Sequence, residues 1–255
     1  MIIGIIPARF ASTRLMGKPL ANIGGKPMIQ HTYENVKKSK LLNDVIIAVD
    51  DQKLFDVISS FGGNVKMTSP DIKTGSDRIA AVASELPDAE IIVNIQGDEP
   101  FIQSNMIDQA IEPLLFDRNV QVSTLAKKIT TVDEYRSPNV VKVVFDYNNY
   151  ALYFSRSPIP YVRDAKTNLE RVRTGDVYKH IGLYVYRRES LQKFTSLKPT
   201  DLEQIEKLEQ LRMLENDIKI KIVETEYESF SVDTPEDLEF ARQYYAKYFN
   251  NGKNR

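Results

Sequence analysis

The 255-residue chain reads as an α/β protein: a mixed, mostly parallel sheet with helices on both faces and an antiparallel extension. Three observations predict this. Apolar runs of strand length alternate with segments of helical period through the first hundred or so residues. The clearest runs, IIGII and IIVNI, are apolar on both faces, as a strand covered by helices on each side requires. After residue 120 the alternation gives way to successive strand-like runs, and Asn148-Asn149 between two of them predicts a hairpin.

Ile2 to Ile6 forms the first strand, ending at Pro7. Pro27 suits the first turn of a helix, and Ile29, Tyr33 and Val36 follow at i, i+4, i+7, with His31 a structural residue among them. VIIAVD, residues 45–50, is the next strand. A helix from Gln52 then shows Leu54, Val57, Ile58 and Phe61 on one face and stops at Gly62-Gly63. Short strand NVKMT and loop SPDIKTGS lead to a third helix carrying Ile79, Val82, Ala83 and Leu86. IIVNIQGDEP is a buried strand that ends in acid.

The second half holds a helix near residues 104–116, then strands VQVSTLAKKI, VVKVVFD and YALYFSR. Residues 161–179 are polar and aperiodic and read as a mobile surface loop. Strand HIGLYVYR follows, then a helix beginning near Asp201, with Asp201 and Gln204 as a capping box and Leu202, Ile205, Leu208 and Leu211 as a buried stripe. IKIKIVE is the last strand. The final helix starts at TPEDL, with Thr234 as cap, Pro235 in the first turn and Asp237 reaching back. No repeat or low-complexity linker interrupts the chain, so the expectation is one domain over 1–255 with a smaller lobe within about 120–215.

Composition narrows the function classes. With 34 basic and 35 acidic side chains the net charge is -1, which gives no global attraction for nucleic acid or an anionic membrane. There is no cysteine, hence no disulfide, thiolate metal site or cysteine nucleophile. The first apolar segment is too short for a signal-peptide core, and no run approaches a membrane span. A soluble cytoplasmic protein without membrane insertion is the expectation.

Cationic and acidic clusters must then be judged locally. Arg9, Arg14 and Lys18 crowd the loop after the first strand, where open α/β sheets bind ligands beyond the carboxyl ends of their strands. Facing phosphates would account for them. The loop is neither a P-loop, since Ser12 and Pro19 stand where that pattern needs Gly and Ser or Thr, nor a Gly-x-Gly-x-x-Gly turn. Standing alone, it would equally suit a solvated loop paired with carboxylates. QGDEP places Asp98 and Glu99 just past a buried strand, where a carboxylate is held rigidly as a hard ligand for Mg2+. VDTPEDL places Asp233 at another strand end, and the two aspartates together with the cations would hold a triphosphate. His180, Tyr184, Glu206, Glu209 and Gln210 are ordinary surface groups unless they share a pocket.

PARFASTRLMGKPL, MTSPDIKTGSDRI, VNIQGDEP, VKVVFD, YALYFSR, KHIGLYVYR, EKLEQLR and VDTPEDL occur in this order along nearly the whole chain. The combination resembles the 3-deoxy-manno-octulosonate (Kdo) cytidylyltransferases, the CMP-Kdo synthetases. The resemblance implies a Rossmann-like, GT-A-like nucleotidyltransferase fold, usually homodimeric, with the smaller lobe serving sugar binding and dimerisation. It implies a Mg2+-dependent reaction of CTP with an acidic eight-carbon sugar that supplies lipopolysaccharide biosynthesis. Residue by residue, Pro7, Ala8, Arg9, Arg14, Lys18, Thr74, Gly75, Ser76 and Asp98 would meet the nucleotide, with Lys18, Arg9 and Asp98 carrying the chemistry. Asp98 and Asp233 would hold the metal. Arg78, Gln96, Ser155, Arg156, His180, Tyr184, Glu209 and Gln210 would line the sugar site.

Two departures leave the charged groups intact: Met16 where the family usually has Pro, and Val49 where it often has Thr. The 8-amino analogue of Kdo stays open as the sugar. So do another acceptor, such as sialic acid or a sugar phosphate, and a catalytically silent nucleotide-binding module on the same fold.

Overall fold

A computed structural model of the chain describes residues 1–11 and 15–249 and divides it into two compact units, Met1–Asp108 with Glu228–Arg255, and Gln109–Tyr227. The first unit opens with β1 (Ile2–Ala8), a single 3-10 turn at Lys18–Leu20, a ribbon of β2 (Asn22–Ile23) and β3 (Lys26–Pro27), and α1 (Met28–Val36). Then come β4 (Asp44–Val49), α2 (Gln52–Ser60), β5 (Val65–Met67), α3 (Gly75–Ser84) and β6 (Ile91–Asn94). The main strands lie in the order β6-β1-β4-β5 and are parallel throughout. Ile5, Ile6, Ile47, Val49, Ile92 and Val93 are buried completely, so both faces of these strands are covered, as their unbroken apolar runs predicted. Because the strands are parallel, the residues that follow β1, β4, β5 and β6 emerge at one edge, and this edge carries the site.

Local chemistry sets the helix limits. Pro27 is the N-cap of α1 and so precedes its first turn; Ile29, Tyr33 and Val36 are buried as their spacing predicts. Asp51 caps α2 by accepting the N–H groups of Lys53 (2.8 Å) and Leu54 (3.3 Å), and Gly62, at φ +76°, follows its end. Only Leu54 and Ile58 of the proposed α2 stripe are fully buried. Thr74 caps α3, its Oγ1 accepting the Asp77 N–H at 3.0 Å.

The chain passes from the first unit to the second within α4 (Ser104–Phe116). There follow β7 (Val122–Lys128), α5 (Val132–Arg136), β8 (Lys142–Phe145), β9 (Ala151–Ser155), α6 (Asn168–Thr174), β10 (Tyr178–Arg187), α7 (Arg188–Ser196), α8 (Asp201–Glu206), α9 (Gln210–Leu214) and β11 (Ile220–Glu224). β8 and β9 form the predicted antiparallel hairpin, β10 runs antiparallel to β7 and β8, and β11 is parallel to β7. Asp146 fixes the hairpin turn by accepting the N–H groups of Asn148 and Tyr150, while Asn149 takes φ +57°.

Two expectations are corrected here. The 161–179 segment is not a structureless loop: it contains α6, started by a Thr167–Glu170 capping box, and the first residues of β10. Val172 and Val177 anchor it by packing with Ile129 and Tyr135, a pair of contacts too sparse to register as a period. The helix near residue 201 is paired at its start through Thr200 and Glu203 instead of Asp201 and Gln204; the Thr200 N–H donates to Glu203 Oε2 at 3.1 Å. It also ends at Glu206, because Lys207 turns left-handed at φ +56°, and α9 begins again at Gln210. The break turns Leu208 and Leu211 inward but leaves Leu202 37% and Ile205 77% exposed.

The final helix, α10 (Pro235–Tyr248), belongs to the first unit. Thr234 and Asp237 form the predicted capping box, and Leu238 and Ala241 pack with Ile23, Met28, Phe101 and Val232. Among the described residues, no helix is long and apolar enough to cross a membrane.

Candidate active site

At the carboxyl edge of the first unit's sheet lies a cleft of about 420 Å³, whose lining includes Pro7, Ala8, Arg9, Lys18, Gln96, Asp98 and Asp233. Lys18 begins the 3-10 turn after Gly17, whose φ of +67° lets the chain reverse there. Asp98 follows β6, and its carbonyl accepts the Val232 N–H at 2.9 Å, which brings Asp233 alongside. The Lys18 ammonium donates to Asp98 Oδ2 at 2.7 Å and to Asp233 Oδ1 at 2.9 Å. These two carboxylates, 135 positions apart in the sequence, therefore converge on a single cation.

Of the acidic pair in QGDEP, only Asp98 lines the cleft. Glu99 is buried, accepts the Ser229 hydroxyl at 2.7 Å, and has its carboxyl pushed up to about 7 by that burial. Gly97 between Gln96 and Asp98 is a positional requirement that the sequence reading passed over. A Cβ there would lie 2.8 Å from the Pro7 carbonyl, so a glycine lets β1 and the acidic turn approach.

Among the described residues no cluster of three acidic or histidine side chains could enclose a metal alone. The donor set nonetheless fits magnesium, which is usually held by one or two carboxylates completed by water and substrate phosphates. Lys18 shows that the two aspartates already share one positive charge.

Arg9 leaves β1 with its side chain 44% exposed, donates Nη1 to the Lys73 carbonyl at 2.8 Å, and places Nε 3.5 Å from Asp50 Oδ2. Thr74, as the cap of α3, presents the first turn with Gly75 and Ser76; Gly75 sits against Pro7, a Cβ there falling 3.5 Å from the proline ring. Gln96 lines the cleft and donates Nε2 to Asn94 Oδ1 at 3.3 Å. Arg78, assigned to the sugar by resemblance, is completely buried and does not line this cleft. It donates to Asp50 Oδ2 at 3.0 Å, to the Ile72 carbonyl at 3.2 Å and to Thr68 Oγ1, and burial draws its pKa down while Asp50 opposes that. Arg14 lies outside the described residues.

The other sugar-assigned residues belong to the second unit. β10 carries a bulge after Ile181, opposite Leu125 and Thr124 of β7. Thr124 Oγ1 lies there 2.9 Å from His180 Nε2 and 2.8 Å from the Leu183 carbonyl. The His180 ring stands edge-on to Phe154 and 5.3 Å from Tyr184, and desolvation lowers its pKa to about 3. Tyr184 is buried; its hydroxyl has no hydrogen-bond partner among the described residues, and burial followed by the nearby Tyr186 and Glu209 keeps it protonated. Gln210 is buried at the start of α9, directly after Glu209.

Ser155 and Arg156 meet through Glu206. The carboxylate accepts the Ser155 hydroxyl at 2.6 Å and the Arg156 N–H at 2.9 Å, and the Arg156 guanidinium donates to the Glu206, Pro138 and Lys207 carbonyls. Lys142 was missed because VVKVVFD reads only as a strand. It is fully buried, and its ammonium caps the Ser137, Val140 and Arg156 carbonyls, which fixes the backbone behind Arg156.

Comparison with known proteins gives a consistent result. Residues 3–220 match the family model described as Cytidylyltransferase. The chain is similar to the 3-deoxy-manno-octulosonate cytidylyltransferase of Geobacter sulfurreducens, at 54% identity over 93% of this chain and 96% of that one. It is 49% identical to the enzyme of the same name from Thermodesulfovibrio yellowstonii, over 94% and 96% of the two chains. Among solved structures, a CMP:2-keto-3-deoxy-manno-octonic acid synthetase complexed with CTP matches at a TM-score of 0.90 and 39% identity, covering 96% of this chain and 98% of that one. A 4-diphosphocytidyl-2C-methyl-D-erythritol synthase from Anaerococcus prevotii, 19% identical with a TM-score of 0.62 over 95% and 97% of the chains, shares the fold.

Proposed function

The chain belongs to the 3-deoxy-manno-octulosonate cytidylyltransferase family, and from that membership we propose that it joins CTP to Kdo, forming CMP-Kdo and releasing pyrophosphate. The anomeric hydroxyl oxygen of the sugar bonds to the α-phosphorus of CTP. The α–β phosphoanhydride bond breaks, its electron pair leaves with pyrophosphate, and the hydroxyl proton passes to water.

The observation that carries the chemistry is the convergence of Lys18, Asp98 and Asp233 in the cleft. Asp98 and Asp233 would hold a magnesium ion, and Lys18 would then turn its ammonium to the phosphates. Bound magnesium neutralises phosphate charge and lowers the pKa of the attacking hydroxyl. Lys18 and Arg9 stabilise the charge that builds on the phosphate oxygens in the transition state. Thr74, Gly75 and Ser76 at the capped start of α3 would meet the nucleotide, where a helix N-terminus favours negative charge.

Gln96, Ser155, Arg156, His180, Tyr184, Glu209 and Gln210 are assigned to the sugar on the family resemblance, and Arg78, fully buried against Asp50, is left out of that set. The same resemblance supports a cytoplasmic homodimer that supplies lipopolysaccharide biosynthesis. The deciding experiment is pyrophosphate release from CTP with Kdo, 8-amino-Kdo or sialic acid, with magnesium present or omitted. Metal-dependent release with Kdo is expected. Release only with another acceptor would replace the sugar, and silence with all three from folded, CTP-binding protein would overturn the enzymatic reading.

A further inference from the structure

We propose that Asp50 is a positioning residue for the nucleotide, acting through Arg9 and through the two loops that flank it. The inference rests on the assignment of Arg9 to CTP made above. Asp50 is the first residue beyond β4, and its side chain is only 9% exposed. Its Oδ1 accepts the Phe10 N–H at 3.2 Å. Its Oδ2 accepts Arg78 Nη2 at 3.0 Å and lies 3.5 Å from Arg9 Nε.

One carboxylate therefore touches the backbone of the opening loop, the side chain of Arg9 and the buried guanidinium of α3. Arg78 extends the connection to the second loop through Thr68 and the Ile72 carbonyl, and Arg9 meets the same loop at the Lys73 carbonyl. Two guanidiniums share one carboxylate, so the cluster retains one positive charge. The buried Arg78 cannot present it, whereas Arg9, half-exposed at the cleft, can. Asp50 thus restricts Arg9 to one orientation before a phosphate arrives, which lowers the ordering cost of binding.

A purely structural role would be to neutralise Arg78, and a double-mutant cycle separates the two. Asp50→Asn and Asp50→Glu are made in the wild-type and Arg9→Ala backgrounds, with KM for CTP, KM for Kdo, kcat and calorimetric CTP affinity measured for each. Each Asp50 change is expected to raise the CTP KM about tenfold in the wild-type background and less than about twofold once Arg9 is gone. The KM for Kdo should change less than about twofold in either background. Equal effects with and without Arg9, or equal losses for both substrates, overturn the proposal. If Asp50→Asn fails to fold because Arg78 is left without a counter-charge, Asp50→Glu keeps that charge and carries the comparison alone. Unaltered CTP affinity in Arg9→Ala itself would remove the nucleotide assignment of Arg9, a failure recognisable before any Asp50 variant is read.

Discussion

The Lys18 ammonium lies 2.7 Å from Asp98 Oδ2, and the same nitrogen reaches Asp233 at 2.9 Å, so one lysine bridges the two carboxylates assigned to the metal. Lys18→Met leaves those carboxylates facing each other without a counter-charge. The expected result is a fall in kcat of about 10²–10³-fold with little change in the KM for Kdo. Metal binding in the absence of nucleotide should tighten, because the competing ammonium is gone; calorimetric titration with magnesium reads this directly. A variant impaired only in sugar affinity would contradict the phosphate role of Lys18.

Adjacent acids should behave differently. Asp98→Asn should abolish turnover while the melting temperature stays near that of the parent, since this side chain lines the cleft. Glu99→Gln should retain turnover within a few-fold, because a buried amide still accepts the Ser229 hydroxyl and removes a carboxyl that burial disfavours in its charged form. Reversal of that order, with Glu99→Gln silent and Asp98→Asn active, would exchange their roles.

Tyr184 carries a buried hydroxyl that no protein group satisfies among the described residues. Tyr184→Phe removes an unsatisfied polar atom, so stability should be unchanged or raised by about 1 kcal/mol. If the hydroxyl serves the sugar, the KM for Kdo should rise while the KM for CTP does not. Unaltered kinetics for both substrates would take Tyr184 out of the sugar site.

His180 contributes to the pH dependence of stability. Desolvation holds its pKa near 3 in the folded state, below the ordinary value of 6.5, so between those limits the unfolded chain binds more protons. Glu99, raised from 4.5 to about 7 by burial, works in the opposite sense between those values; the His180 contribution is fully present above about pH 6.5 and declines as pH falls through its window. His31 contributes in the same direction, its pKa also lowered chiefly by burial. His180→Gln should flatten the decline in melting temperature between neutral pH and pH 4; an unchanged slope would show that His180 does not carry it.

The parts of the molecule that were legible in the sequence are those in which one residue reports its own environment. Ile5, Ile47 and Ile92 sit in runs that only a doubly covered strand tolerates, and Thr234-Pro235 with Asp237 spells out a helix start. The break at Lys207 was not legible, because a non-glycine residue at φ +56° leaves no compositional mark. Residues 161–179 looked structureless for a related reason, since α6 is held by Val172 and Val177 against partners far away in the chain. The acidic turn was recognised, but not that Glu99 turns inward to Ser229, a contact spanning 130 positions.

By itself, the sequence determined the alternation of strands and helices, the order of the charged motifs and, through the combination of those motifs, the family. These are properties of neighbouring residues and of spacing. Tertiary structure alone decided that Lys18 bridges Asp98 and Asp233, that Asp50 joins Arg9 to Arg78, and that Glu206 holds Ser155 and Arg156 together. The physical reason is that a charge pairs with whatever the packed backbone brings within about 3 Å, and that distance is set by strand order and loop path rather than by separation along the chain.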